Sequence, residues 1–147
     1  MKPLLTHVAF AARDVDRTIA FYRDHVRLHL VHDRSDHGMR VVWLSERAAA
    51  PTLVLVFFQK PVDAAPSTLQ HLGFAVESRA DVDAAAAKAR AEGILEVEPT
   101  EAGPIVGYFC IMRDPDGNQV EFSYGQAIDP RAIAERPDGA RPEAPHA

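Results

Sequence analysis

From Leu4 to Ala12 apolar and polar positions alternate with the period of a half-buried strand. From Asp14, a residue suited to cap a helix, the period changes: Val15, Ile19, Tyr22 and Val26 recur at helical spacing. Three strand candidates follow at 28–34 (LHLVHDR), 39–45 (MRVVWLS) and 52–59 (TLVLVFFQ), divided by SDHG and ERAAAP. After the polar connector KPVDAAPST the same order returns. A strand is expected at 69–77 (LQHLGFAVE), then a helix with Val82, Ala85, Ala86 and Ala89 on one face and Gly93 as its stop. Strand candidates at 94–100, 105–112 and 118–124 complete the series, the last two joined by the turn RDPDG. His7 and Phe10 recur as His71 and Phe74, and Asp14-Val15-Asp16 as Asp81-Val82-Asp83 after a three-residue shift. Two copies of one βαβββ unit are therefore predicted, an α+β fold with modules at 1–60 and 68–125 and a loosely ordered tail at 126–147.

Alternation along a strand sorts its side chains onto two faces. Val8 and Phe10 share one face of the first strand, His7, Ala9 and Ala11 the other; Leu72, Phe74 and Val76 oppose His71, Gly73 and Ala75 in the fifth. In the last strand Val120, Phe122 and Tyr124 make the bulky face and Glu121 falls on the other. Bulk is thus directed toward a covering helix, while two imidazoles and a carboxylate occupy faces of very small residues. Two histidines and one carboxylate suit a divalent metal with open coordination positions, Fe(II) or Mn(II) first, with Zn, Ni or Co accepting the same donors.

Composition narrows the class further. The 147-residue chain carries a formal charge of −5 with both signs mixed, so no basic stripe marks a nucleic-acid partner. No apolar run reaches a membrane span, the start lacks the pattern of a signal peptide, and a single cysteine, Cys110, fits a reducing compartment. A soluble cytoplasmic protein is expected.

The segments THVAFAARDVDRTIAFYRD, LQHLGFAVESRADVDAAAAKARAEG and RDPDGNQVEF, the last placing Glu121 six residues beyond Pro115, resemble the vicinal oxygen chelate superfamily. That group includes glyoxalase I, bleomycin-resistance proteins, fosfomycin-resistance enzymes and extradiol dioxygenases, and the likeness covers residues 4 to about 125. It implies a cup-shaped mixed sheet with helices on its outer face, one divalent metal per site on His7, His71 and Glu121, a small substrate chelated through adjacent oxygens, and a homodimer. The family's fourth ligand position aligns with Leu55, which leaves three protein ligands and disfavours isomerase chemistry. The tyrosine and histidine that dioxygenases carry beside the metal align with Ile111 and Ala102, with Tyr108 three residues out of register. The stretch EPTEAGPIVG offers no cation to a phosphonate. The resemblance implies a metal-dependent enzyme of glyoxalase or dioxygenase type; the alternative is a non-catalytic, ligand-sequestering protein of bleomycin-resistance type.

Tyr108 and His37 are the candidate catalytic side chains, His37 by overhanging the site from a hairpin shared with His32, Asp33 and Asp36; the competing reading is a solvated turn. Glu46 reads as a surface residue. Trp43, Phe57, Phe109 and Tyr108 are candidates for an aromatic lining or for core, and Cys110 for a buried, inert thiol. Arg27 stands where relatives end the first helix in glycine, and a left-handed conformation there carries strain of order 1 kcal/mol.

Overall fold

The structure, a computed structural model, describes residues 4–62, 70–126 and 128. Its elements follow the predicted order: β1 (His7–Ala12), α1 (Val15–Val26), β2 (His29–Asp36), β3 (Met39–Ser45), β4 (Val54–Gln59), β5 (His71–Ala75), α2 (Arg79–Ala91), β6 (Leu95–Glu101), α3 (Gly103–Val106), β7 (Tyr108–Arg113) and β8 (Gln119–Tyr124). They form two four-stranded mixed sheets of matching order, β1-β4-β3-β2 and β5-β8-β7-β6, with the first strand of each parallel to the last. The one element not foreseen is α3. Gly103 and Pro104 open a single helical turn over Ile105 and Val106, which sequence periodicity places in a strand. Gly107 ends it at φ 82°, where an added Cβ would lie 2.3 Å from the Tyr124 carbonyl, so no other residue fits. The expected tail lies outside the described residues except for Gln126 and Ile128. Among the described residues no helix is long and apolar enough to cross a membrane.

The first unit comprises Met1–Gln70 together with Arg113–Asn118, the second His71–Met112 and the chain from Gln119. The RDPDG turn therefore groups with the first unit rather than with the 68–125 module, and two buried aspartates explain why. Asp114 Oδ1 accepts from the backbone N–H groups of Asp116 (2.9 Å) and Asn118 (2.8 Å). Its Oδ2 accepts from Asn118 Nδ2 (2.8 Å) and from the buried Tyr22 hydroxyl (3.0 Å). Asp116 Oδ1 accepts from the Arg13 backbone N–H at 3.0 Å. The turn is thus tied to α1 and to the residue that precedes its cap.

Both helices start as capped amphipathic segments. Asp14 Oδ1 accepts from Asp16 and Arg17 N–H, and Ser78 Oγ accepts from Asp81 N–H. Helix α1 buries Val15, Thr18, Phe21 and Tyr22 against its own sheet, where the Phe57 ring lies between Phe10 (5.4 Å) and Tyr22 (5.1 Å). Helix α2 buries Val82, Ala86 and Ala89. Arg27 adopts φ 66°, ψ 25°, and Leu28 N–H closes the helix end on Tyr22 O at 3.0 Å. Arg27→Gly is expected to raise the unfolding free energy by up to about 1 kcal/mol, because relief of left-handed strain outweighs the added freedom of the unfolded chain. A denaturant melt reads this, and a loss of stability would show that the Arg27 side chain contributes more than its backbone costs.

Candidate metal centre

Register decides which side chains share a face. In the second sheet His71 is opposite Gln119 and Gly73 opposite Glu121, so imidazole and carboxylate share the face that Gly73 leaves nearly bare. His71 Nε2 lies 3.6 Å from Glu121 Oε2; the His71 side chain is 42% exposed and that of Glu121 only 7%. Glu121 Oε1 is buried and accepts no hydrogen bond among the described residues. A Cβ built on Gly73 would stand 3.9 Å from it, so even alanine would begin to fill the space beside the orphaned oxygen. A carboxylate held without a donor suggests that something else meets its charge, because buried polar groups are otherwise paired. A divalent cation fits this donor chemistry. Beside the pair, buried Gln119 donates from Nε2 to Glu96 at 3.0 Å; the matching parity of Gln119 and Glu121 could have pointed to the first of these, while no sequence signal points to Glu96.

His7 occupies the corresponding strand position in the other unit. Its Nδ1 lies 3.2 Å from Thr6 Oγ1, a partner that fixes the ring and leaves Nε2 as the remaining donor atom. Among the described residues no group of three or more His, Cys, Asp and Glu side chains is gathered as a metal cluster. In this sheet Ala9 is opposite Val56, as Gly73 is opposite Glu121 in its counterpart. The residue equivalent to Glu121 is therefore Val56, and the alignment of that position with Leu55 is corrected by one residue. Leu55 is opposite Val8 on the bulky face. Both side chains are apolar, so the missing fourth ligand remains missing.

The face bearing His7 and Ala9 is hollow. A cavity of about 470 Å³ opens there, with Trp43, Val54, Val56 and Phe58 on its walls. Trp43 accordingly belongs to a lining, whereas Phe57 is fully buried in the core beneath α1.

Of the two candidate catalytic side chains, Tyr108 opens β7 and His37 lies in the turn between β2 and β3. Tyr108 stands on the α2 side of its sheet, where its hydroxyl donates to Asp83 at 2.7 Å and the Arg79 guanidinium carbon lies 4.1 Å from its ring centroid. The acceptor on Asp83 raises the phenol's pKa, which keeps the proton on Tyr108. His37 and Gly38, at φ 50° and 82°, are the two residues linking β2 to β3. Positive φ at both is what a type I′ hairpin requires, so the solvated-turn reading accounts for His37. His32 packs on Trp43 with ring centroids 4.8 Å apart.

Cys110 is fully buried, its thiol 3.7 Å from Val82 O, and burial pushes its pKa up to about 11. The folded thiol therefore favours its neutral form. Its contribution to stability is complete below the unfolded pKa of about 8.5 and is lost as pH rises toward 11. A thiol-reactive dye at pH 8 is expected to label the native protein far more slowly than the denatured chain; equal rates would place Cys110 at the surface.

The family model described as Glyoxalase/Bleomycin resistance protein/Dioxygenase superfamily matches residues 4–122. The chain is 40% identical over 136 residues to the uncharacterized protein PA2024 of Pseudomonas aeruginosa, covering 91% of this chain and 97% of that one. Among solved structures it is similar to the genomically encoded fosfomycin resistance protein FosX of Listeria monocytogenes, with TM-score 0.70, 14% identity and coverage of 87% and 97%. It is also similar to the trypanothione-dependent glyoxalase I of Leishmania major, with TM-score 0.65, 20% identity and coverage of 84% and 88%. A FosX structure of the same fold was solved with Mn(II) and sulfate. Two mixed sheets of identical order, the RDPDGNQVEF end and the family match together make this chain a member of the glyoxalase/bleomycin resistance/dioxygenase, or vicinal oxygen chelate, superfamily.

Proposed function

We propose that the protein is a divalent-metal-dependent enzyme acting on a small organic molecule through adjacent oxygens, with His71 and Glu121 holding the metal and His7 as the third donor. The observation that carries this reading is the buried Glu121 carboxylate, one oxygen without a hydrogen-bond donor among the described residues and the other 3.6 Å from His71 Nε2. The Mn(II) complex of the structurally similar FosX supports the choice of ion. A bound divalent ion would supply Lewis acidity toward negative charge on chelated oxygens. The chain's own residues set the limits on the chemistry. Glu121 supplies the negative charge, Gly73 keeps the space beside it open, and half-exposed His71 leaves the site accessible. Val56 offers no base at the position matching Glu121, which disfavours an isomerase needing a second carboxylate there. The 98–107 segment carries Glu98 and Glu101 but no lysine or arginine, which disfavours a phosphonate there.

Metal-free protein titrated into Mn(II) under electron paramagnetic resonance tests the donor set. His7→Ala, His71→Ala and Glu121→Gln are each expected to weaken uptake at least tenfold. Uptake unchanged in all three would reject the assignment. Turnover separates the enzyme from a sequestering protein: a panel of vicinal diols, diones and catechols should yield a metal-dependent product, and tight binding without conversion would favour sequestration.

A further inference from the structure

We propose that Gln119 is a specificity residue of the site on the second sheet, an amide locked as a hydrogen-bond acceptor that selects ligands bearing a hydroxyl over those bearing only carbonyl oxygens; this rests on the metal reading above and narrows its substrate class. Comparison of the two repeats shows what is unusual about the position. In the first sheet Val54 is opposite His7 and Val56 follows two residues on; in the second the same places hold Gln119, opposite His71, and Glu121. Both β4 and β8 are inner strands, where a β-branched apolar residue is the ordinary choice. Gln119 is nevertheless only 5% exposed, so an amide is buried on the face that carries the imidazole and the carboxylate, at a cost that valine would not incur. A local rule broken in this way marks a functional position.

The amide is held by one end. Gln119 Nε2 donates to Glu96 Oε1 at 3.0 Å, and because β7 lies between β8 and β6 the two side chains meet over it. A carboxylate accepts and does not donate, so the nitrogen must face Glu96 and the amide oxygen is turned away from it. Gln119 Oε1 accepts no hydrogen bond among the described residues, and unlike Glu121 Oε1 it is not sealed from solvent. Two residues of strand, about 6.6 Å, separate Gln119 from Glu121, within the reach of a small ligand anchored at one end. An acceptor of fixed direction on a buried side chain calls for a hydrogen. Among ligands with adjacent oxygens, a diol or hydroxy acid supplies one and a dione or oxo acid does not. A site built to meet a hydroxyl rejects the analogue that lacks it, because its own polar group is then left unpaired. Glu96 acts through Gln119 as a positioning residue: without it the amide is free to turn and offer its N–H to a carbonyl.

Lactate and pyruvate share a skeleton and a carboxylate and differ in whether the adjacent oxygen carries a hydrogen, so they are the probes, titrated by calorimetry at saturating Mn(II). The lactate-to-pyruvate affinity ratio is expected to be at least tenfold higher in wild type than in Gln119→Leu, which supplies the ion's own preference as the baseline, and the loss should fall on lactate. Glu96→Ala, at an exposed position, should narrow the ratio from the other side by raising pyruvate affinity severalfold, a gain that a merely structural role would not produce. An equal ratio in wild type and Gln119→Leu, or pyruvate affinity unchanged or weakened in Glu96→Ala, would overturn the proposal. The second variant decides the matter even if the first fails to fold. Mn(II) uptake, read beforehand by electron paramagnetic resonance, separates this inference from the reading on which it rests. Wild type that takes up no Mn(II) removes both. Normal uptake with an unchanged ratio removes the role of Gln119 and leaves the metal in place.

Discussion

Asp114→Ala is expected to destabilise the protein by about 3 to 5 kcal/mol, lowering its melting temperature by on the order of 10 °C. The carboxylate is 5% exposed and accepts four hydrogen bonds, two from backbone N–H groups of its own turn, one from Asn118 Nδ2 and one from Tyr22. Alanine strands all four donors, and a buried donor left unmet costs about 1 to 3 kcal/mol. The Tyr22 hydroxyl suffers most, since it is fully buried in the α1 core and cannot turn to water. Burial and the adjacent Asp114 charge hold its pKa well above the ordinary phenol value, so it remains a donor at all physiological pH. Tyr22→Phe should cost only about 1 kcal/mol, because Asp114 keeps its other three donors. A double-mutant cycle should return a coupling near 1 kcal/mol. Additive losses would show that the two side chains do not depend on one another.

Replacing Glu121 by leucine is expected to change stability in opposite directions with and without metal. Glu121 Oε1 is buried with no hydrogen-bond donor among the described residues, a penalty of about 1 to 3 kcal/mol in the absence of metal that leucine removes. Metal-free Glu121→Leu should therefore melt higher than metal-free wild type. Addition of Mn(II) at a hundredfold excess over Kd should stabilise wild type by about 2.7 kcal/mol and the variant by nothing. A local rule broken at a stability cost is the pattern of a functional site. A variant that melts lower in the absence of metal would instead assign Glu121 a structural role.

The repeat, the succession of elements along the chain and the Asp14 cap were legible because each depends on local spacing. Asp14 and Arg27 behave as their positions along the helix require. Three features were hidden for distinct reasons. The run LVLVFF reads equally well shifted by one residue, so only pairing with β1 assigns the Glu121-equivalent place to Val56 and not Leu55. Asp114 finds Tyr22 across 92 residues, a contact that turn chemistry alone does not encode. Tyr108, three residues out of register with the position that the resemblance gives to a tyrosine, turns its side chain to Asp83 and Arg79 on α2, a contact that only the packing of α2 on its sheet reveals. Alternation put His71 and Glu121 each on the small-residue face of its strand; that the two strands lie side by side and bring the pair within 3.6 Å is given by the parallel pairing of β5 with β8.

The most direct test of a metal centre on His71 and Glu121 is elemental analysis of dialysed protein after anaerobic loading with Fe(II), Mn(II), Ni(II) or Zn(II), wild type beside Glu121→Gln. Stoichiometric retention of at least one of these ions by wild type, with at least a tenfold drop in the variant, is the predicted result. Retention of none by wild type, or equal retention by both proteins, would contradict it.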